Sequence, residues 1–417
     1  MWCPTLVCAA RLRLVFAHLA RICQEIPVVI ALLCLAGVVL VAERAMGQSQ
    51  ETATRRHLLR GFPLTKFYDT PDPLTPGRPG EVIRSVLFDE YDVPMEVSAV
   101  RILYHSRSAR GADVAASGVV LFPAAPPPAG GWPVIAWAHD LNGVARTCVP
   151  SLTRNLGHGP LLSMYVHLGY AVVATDYTGL GTSFRNASAD LESNAFDVIY
   201  SVPAARSVVP QLGSRWIAVG TGEGGMAVLG VAEQERQIQD PGYLGSITIS
   251  RLADLSDGYE SISNLSYEAS LYLAYGMQTV YPQFQVNDIL TAKALPLYGQ
   301  IGKACSNTES VRPSASEMLK PQWESNQFVQ DYFRRNRTGL KPANAPLLVL
   351  SSQTDSGIAE TTKIVARLCK VGDRVQFEKY PESDPGRVIG DSVRDQIAWI
   401  QARLANRMAP NDCPARP

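Results

Sequence analysis

Short runs of aliphatic and β-branched residues recur along the chain from position 82, and their pattern predicts a layered fold. Segments 82–88 and 97–104 alternate partly between apolar and polar positions, as a leading antiparallel strand pair would. Segment 118–122 follows and is broken by Pro123-Ala124-Ala125-Pro126-Pro127-Pro128. The runs 134–138, 171–175, 216–219 and 244–249 are apolar at consecutive positions, so both faces of each strand are buried. Helical stretches separate most of them, which predicts a mostly parallel sheet flanked by helices. The runs 347–350 and 375–377 complete the series. A last helix, 392–404, places Val393, Ile397, Ile400 and Leu404 at helical spacing with charges opposite.

The pattern also divides the chain. Residues 81–250 form the first part of an α/β core and residues 345–417 the second. Between them, 251–344 shows no clear strand and is too long for a simple loop, so it reads as a helical insertion capping the C-terminal edge of the sheet. Open α/β sheets bind ligands at that edge. Residues 48–80 are polar, with Pro71, Pro73, Pro76, Gly77, Pro79 and Gly80 near their end, and form an extended entry segment.

Residues 1–47 differ from the rest. Arg11, Arg13 and Arg21 precede an uncharged apolar stretch, 26–42, and small residues follow before Gln48. This reads as an export signal with a long basic lead-in. The alternative is an uncleaved N-terminal anchor, because the stretch just reaches the lower limit for crossing a bilayer. The expected location is thus secreted or extracytoplasmic, or membrane-anchored.

Composition narrows the partners. The chain has 417 residues, 46% hydrophobic, enough for a large core. Lys+Arg and Asp+Glu are both 38 and well mixed, so nothing points to nucleic acid or to an anionic membrane as the main partner. Cys3, Cys8, Cys23 and Cys34 lie in the leader. Cys148, Cys305, Cys369 and Cys413 remain, an even number that suggests two disulfides among three possible pairings. There is no Cys-x-x-Cys and no Cys/His cluster, so no zinc site is indicated.

The most informative motif is Gly220-Thr221-Gly222-Glu223-Gly224, between a strand at 215–219 and a helix at 225–237. That is the setting of a nucleophile elbow, G-x-S-x-G, in which a serine on a sharp strand-to-helix turn presents its hydroxyl. Here glycine stands at the third position. Gly222 takes positive φ without the strain that serine bears, so the turn can survive and the nucleophile cannot. Thr221 and Glu223 are neighbours that an elbow points elsewhere. The plain alternative is a glycine-rich turn with a packing role only. Gly220, Gly222 and Gly225 also match a dinucleotide-binding fingerprint, but its confirming acid should end the next strand, and Asp240 precedes that strand.

These residues resemble the secretory lipase family of α/β-hydrolases, over roughly residues 62–407. The stretches that carry the resemblance are Phe67-Tyr68-Asp69-Thr70-Pro71, Trp137-Ala138-His139, Cys148-Val149-Pro150-Ser151, Ala174-Thr175-Asp176-Tyr177-Thr178-Gly179-Leu180-Gly181 and Asp395-Gln396-Ile397-Ala398-Trp399-Ile400. The resemblance implies an α/β-hydrolase fold with a helical cap, lipid ester substrates, export, no cofactor, and the disulfides Cys148–Cys305 and Cys369–Cys413. It places the nucleophile position on Gly222, the acid position on Asp355 and the histidine position on Pro385, so serine and histidine are both missing. Without a histidine, Asp355 reads equally well as a turn or helix-cap aspartate. The six histidines are His18, His57, His105, His139, His158 and His167, whereas the triad order demands one after the acid.

The oxyanion region comprises His139, Asp140 and Glu223. An anionic Asp140 would oppose a developing oxyanion, whereas a protonated aspartate would donate to it; the sequence leaves both open. His139 reads as a packed strand-end histidine. The expected function is therefore a lipid- or ester-binding lipase homologue without catalysis. The alternative is a weakly active esterase using another nucleophile such as Ser183, Ser351 or Ser352.

Overall fold

The computed structural model describes residues 61–250, 252, 267–303, 305 and 315–414. The expected leader 1–47, with its apolar stretch and four cysteines, lies outside them, as do 48–60 of the entry segment and 251, 253–266, 304 and 306–314 of the expected cap.

Nine strands form one sheet: β1 (Val82–Leu87), β2 (Val97–Arg107), β3 (Asp113–Pro123), β4 (Trp132–Ala138), β5 (Ala171–Thr175), β6 (Leu212–Thr221), β7 (Tyr243–Ile249), β8 (Leu347–Ser352) and β9 (Val375–Tyr380). Their spatial order is β1-β2-β3-β5-β4-β6-β7-β8-β9. The first three strands pair antiparallel, and β3 pairs antiparallel with β5. All pairings from β5 to β9 are parallel. Every predicted strand is present, and several run further into polar sequence than the apolar runs alone suggest.

Strand alternation divides the core into two faces. Val134, Ala136 and Ala138 of β4 point to one face with Trp216 and Ala218 of β6. Ile135 and Trp137 point to the other with Ile217 and Val219. The first face is covered by helices Leu191–Val208, Glu223–Ile238 and Ile358–Val371. The second is covered by Gly159–His167 and Val393–Leu404, through Leu162, Tyr165, Trp399 and Ile400. In chain order these helices and those between β7 and β8 are α1 (Gly159–His167), α2 (Leu191–Val208), α3 (Glu223–Ile238), α4 (Tyr267–Val280), α5 (Ala294–Ile301), α6 (Ala315–Met318), α7 (Gln327–Arg335), α8 (Ile358–Val371), α9 (Val388–Asp391) and α10 (Val393–Leu404).

Helices α4 to α7 lie in the insertion between β7 and β8 and gather an apolar cluster of their own, including Leu271, Met277, Phe284, Trp323 and Tyr332. No described helix is long and apolar enough to cross a membrane.

The order β3-β5-β4-β6 places the switch in connection direction at the C-terminal ends of β4 and β6. From β4 the chain runs through α1 to β5 on one side; from β5 it runs through α2 to β6 on the other. Ligand crevices of open α/β sheets lie at such points.

Cys148 pairs with Cys305 and Cys369 with Cys413. The first bond joins the segment after β4 to the insertion. The second ties the C-terminal tail to α8. Sequence separations are 157 and 44, and chain entropy alone caps their stabilisation at about 5 and about 4 kcal/mol. Cys413→Ser is expected to lower stability by roughly 2–4 kcal/mol and to depress the midpoint in calorimetry. A midpoint that neither reductant nor this substitution changes would show that the bond does not form in solution.

Candidate functional site

At the end of β6 the backbone turns sharply through Gly222, with φ 54° and ψ −120°, and α3 begins at Glu223. Two flanking glycines make the turn possible. A Cβ on Gly220 would lie 2.1 Å from the carbonyl oxygen of Gly224, and one on Gly224 would lie 2.1 Å from that of Ala138. No other residue fits either position. The geometry is that of a nucleophile elbow with its central side chain removed.

Another side chain has entered the space. A Cβ on Gly222 would lie 2.0 Å from Oδ1 of Asp140, 2.2 Å from its Cγ and 2.4 Å from its Oδ2. The carboxylate of Asp140 therefore occupies the volume a serine side chain would need. Register explains the meeting: Ala138 pairs with Gly220, so Asp140 and Gly222 each lie two residues past a matched pair. Asp140 Oδ1 accepts the Glu223 N–H at 2.9 Å and the Leu141 N–H at 2.7 Å. The N–H of the residue after the nucleophile position is an oxyanion-hole donor in hydrolase elbows. Here that donor is taken. Asp140 Oδ1 accepts both N–H groups.

His139 is buried and its imidazole is fixed by main chain. Nδ1 lies 2.6 Å from the Asp140 carbonyl and 3.3 Å from the Asn142 amide nitrogen, and Nε2 lies 3.4 Å from the Asp176 carbonyl. Its ring packs on Tyr177 at 4.4 Å. Burial pushes its pKa down against the opposing pull of these carbonyls. It is the packed strand-end histidine that the sequence suggests.

Glu223 is half-buried. Its Oε1 accepts the Ala189 N–H at 2.5 Å and the Asn194 amide at 3.0 Å. Burial, reinforced by the nearby Asp140 charge, pushes its pKa up to about 7 against these hydrogen bonds. Thr221 is the last residue of β6 and is buried.

Asp355 is buried just past β8. Its Oδ1 accepts the Gly357 N–H at 2.7 Å and its carbonyl accepts the Ile358 N–H at 3.0 Å, so it organises the start of α8. These are turn contacts, and among the described residues no imidazole is hydrogen-bonded to Asp355. Pro385 is exposed, and its carbonyl accepts Ser250 Oγ at 3.2 Å, past the end of β7. Ser352 Oγ and Thr354 Oγ1 both donate to the Ser383 carbonyl, tying that loop to the end of β8. The structure thus joins Asp140, Gly222 and Glu223 by direct contact, and binds the loop of Pro385 to the strand end that carries Asp355.

Ser351 and Ser352 are buried within β8, while Ser183 is exposed. Asp240 lies at the opposite end of the sheet, where it accepts from Trp216 Nε1 at 2.9 Å and Gly242 N–H at 2.7 Å. It is far from any ligand at the elbow, which removes the dinucleotide reading. No group of three or more potential metal ligands occurs among the described residues.

Among the buried carboxylates that the sequence does not single out, one lies beside the crevice. Asp176, directly after β5, accepts Ser117 Oγ at 2.7 Å, Ser151 Oγ at 2.6 Å and Ser151 N–H at 3.0 Å. Arg101, buried nearby, donates to the Ser151 carbonyl and moderates the charge. Burial still raises Asp176 to about 6. The signal was visible: an acid placed immediately after a buried parallel strand demands such a network.

Gly222→Ser combines a strained backbone with a clash against Asp140, and is expected to destabilise by roughly 2 kcal/mol or more. Adding Asp140→Ala should recover at least about 1 kcal/mol of that loss. Strict additivity in a double-mutant cycle of denaturation midpoints would refute the contact. Glu223, with a folded pKa of about 7 against its usual 4.5, binds more protons folded than unfolded in that window. Its stabilising contribution is complete below about 4.5 and is lost as pH rises through about 7. Urea titrations from pH 5 to 8 should show stability falling less steeply in Glu223→Gln than in the parent; equal slopes would contradict the assignment.

No family model matches the sequence, and no curated protein matches it. Solved structures do. Lipase A of Candida antarctica in its closed state superposes with a TM-score of 0.70 at 15% identity, over 85% of this chain and 89% of that one. The cell-wall-degrading esterase LipA of Xanthomonas oryzae, in a ligand-bound form, superposes with a TM-score of 0.66 at 17% identity, over 80% of this chain and 100% of that one. At these identities the likeness establishes architecture, and the chain has the α/β-hydrolase fold in the form carried by these lipase-like structures.

Proposed function

We propose that this protein binds acyl lipids or their esters on a lipase scaffold and does not hydrolyse them. The observation that carries this reading is the Asp140 carboxylate in the volume of the missing serine side chain, bonded to the elbow N–H. Removing the serine or the histidine of a serine hydrolase lowers turnover about 10⁶-fold, and losing both costs little more because they act together. The residual ~10³–10⁴-fold acceleration that such a mutant keeps comes from its oxyanion hole and binding. Here the elbow N–H is already taken, so the oxyanion share of that remainder is lost as well.

Space for an acyl chain supports the binding part of the reading. A cavity of about 400 Å³ lies between the sheet body and the end of α4. Val114, Phe184, Ala187 and Pro282 give it apolar walls, and Asn194 lines it while also bonding Glu223 beside the elbow. We read 251–344 as the cap over this edge, and 1–47 as the export signal or anchor. Paired cysteines fit an oxidising compartment outside the cytoplasm. The alternative nucleophiles gain no support: Ser351 and Ser352 are enclosed in β8, and no described histidine is hydrogen-bonded to Ser183, Ser351 or Ser352.

Incubation with a fluorophosphonate probe should label no serine stoichiometrically, while a fluorescent long-chain acyl probe should bind saturably. Full labelling of a single serine would replace this reading with that of an active esterase. Lack of any saturable uptake would remove the lipid-binding role.

A further inference from the structure

The elbow has opposite hydrogen-bonding polarity to that of a lipase. A serine elbow offers donors: a hydroxyl and the N–H groups that receive a carbonyl oxygen. In this chain the Glu223 and Leu141 N–H groups both end on Asp140 Oδ1, at 2.9 and 2.7 Å. Asp140 Oδ2 lies in the volume vacated at Gly222, 2.4 Å from where a Cβ would stand. Asp140 as a residue is exposed. Among the described residues no Lys or Arg forms an ion pair with Asp140. A ligand head group reaching the elbow therefore meets an acceptor, with the Glu223 and Leu141 N–H groups already engaged.

Resting on the lipid-binding reading above, we propose that Asp140 sets the specificity of this site: it selects amphiphiles whose head group donates a hydrogen bond, such as long-chain alcohols, and rejects free carboxylates. A hydroxyl can donate to Asp140 Oδ2 without displacing anything. A carboxylate would have to expel Asp140 from its two N–H partners, or lie against it as a like charge. Both are unfavourable, and the second is worst in a partly dehydrated crevice.

The test compares two probes with the same tail, 1-dodecanol and dodecanoate, below micellar concentration at pH 8, by calorimetry or by displacement of a fluorescent acyl probe. The full chain should bind the alcohol at least about tenfold more tightly than the carboxylate. Asp140→Asn keeps the shape and can still accept the two N–H groups, but places an amide donor where Oδ2 stood. It should bind dodecanoate at least as tightly as the alcohol. Asp140→Ala frees both N–H groups and should likewise gain dodecanoate binding; it gives an independent second comparison should the first variant pack differently. Equal or tighter binding of dodecanoate by the wild-type protein would overturn the proposal, as would an unchanged preference in both variants. If neither amphiphile binds any of the three folded proteins, the lipid-binding reading itself fails, and this inference with it.

Discussion

Backbone touches backbone where β6 turns into α3, and the architecture of the site follows from that contact. The Gly220 position closes on the Gly224 carbonyl, and the Gly224 position closes on the Ala138 carbonyl at the end of β4. These approaches fix the start of α3 against two adjacent parallel strands. They bring Asp140 to within reach of Gly222, since both lie just past the paired residues Ala138 and Gly220. They also point the first free N–H of α3 at whatever occupies the crevice. In an active elbow the occupant is substrate. Here it is a side chain from the next strand.

The rest of the crevice is built to hold that arrangement. His139, locked between the Asp140 and Asp176 carbonyls and packed on Tyr177, fixes the chain leaving β4. Asp176 in turn ties the end of β5 to Ser117 of β3 and to Ser151. Tyr177 donates to the His139 carbonyl at 3.0 Å, linking the ends of β4 and β5 again. On the far side, the Ala189 N–H and Asn194 anchor Glu223. Buried carboxylates are tolerated here because each has several donors, and their raised pKa values record what burial still costs.

Sequence alone reveals the architecture well because each parallel strand is buried on both faces and stands out as a short apolar run. It underestimates strand length where the ends are polar or glycine-containing: β3 begins at Asp113 rather than 118, and β6 at Leu212 rather than 215. It likewise starts α3 late, because Glu223 and Gly224 carry no apolar periodicity. The vacancy at Gly222 is legible, being a single residue within a motif. The occupant is not, because Asp140 reaches Gly222 through strand register across a long sequence separation, and no local pattern encodes that. Asp355 was ambiguous for a related reason: a turn aspartate and a triad aspartate look alike until their partners are seen, and here the partner is the Gly357 N–H.

Elementary energetics favour the arrangement of Gly222 and Asp140. A serine at the elbow is held in a strained conformation worth on the order of 1–3 kcal/mol, which function alone justifies. Glycine releases that strain. An orphan N–H at a helix start is left for substrate in an enzyme, whereas here Asp140 satisfies it. Negative charge at a helix N-terminus adds about 0.3–1 kcal/mol. The three effects act in the same direction and arise from two residues. A catalytic site stores free energy to be released on ligand contact; in this chain the same geometry spends it on holding the fold together, which is the stability–activity exchange worked in reverse. On the reading proposed above, the scaffold holds without a triad and Asp140 decides what the crevice recognises.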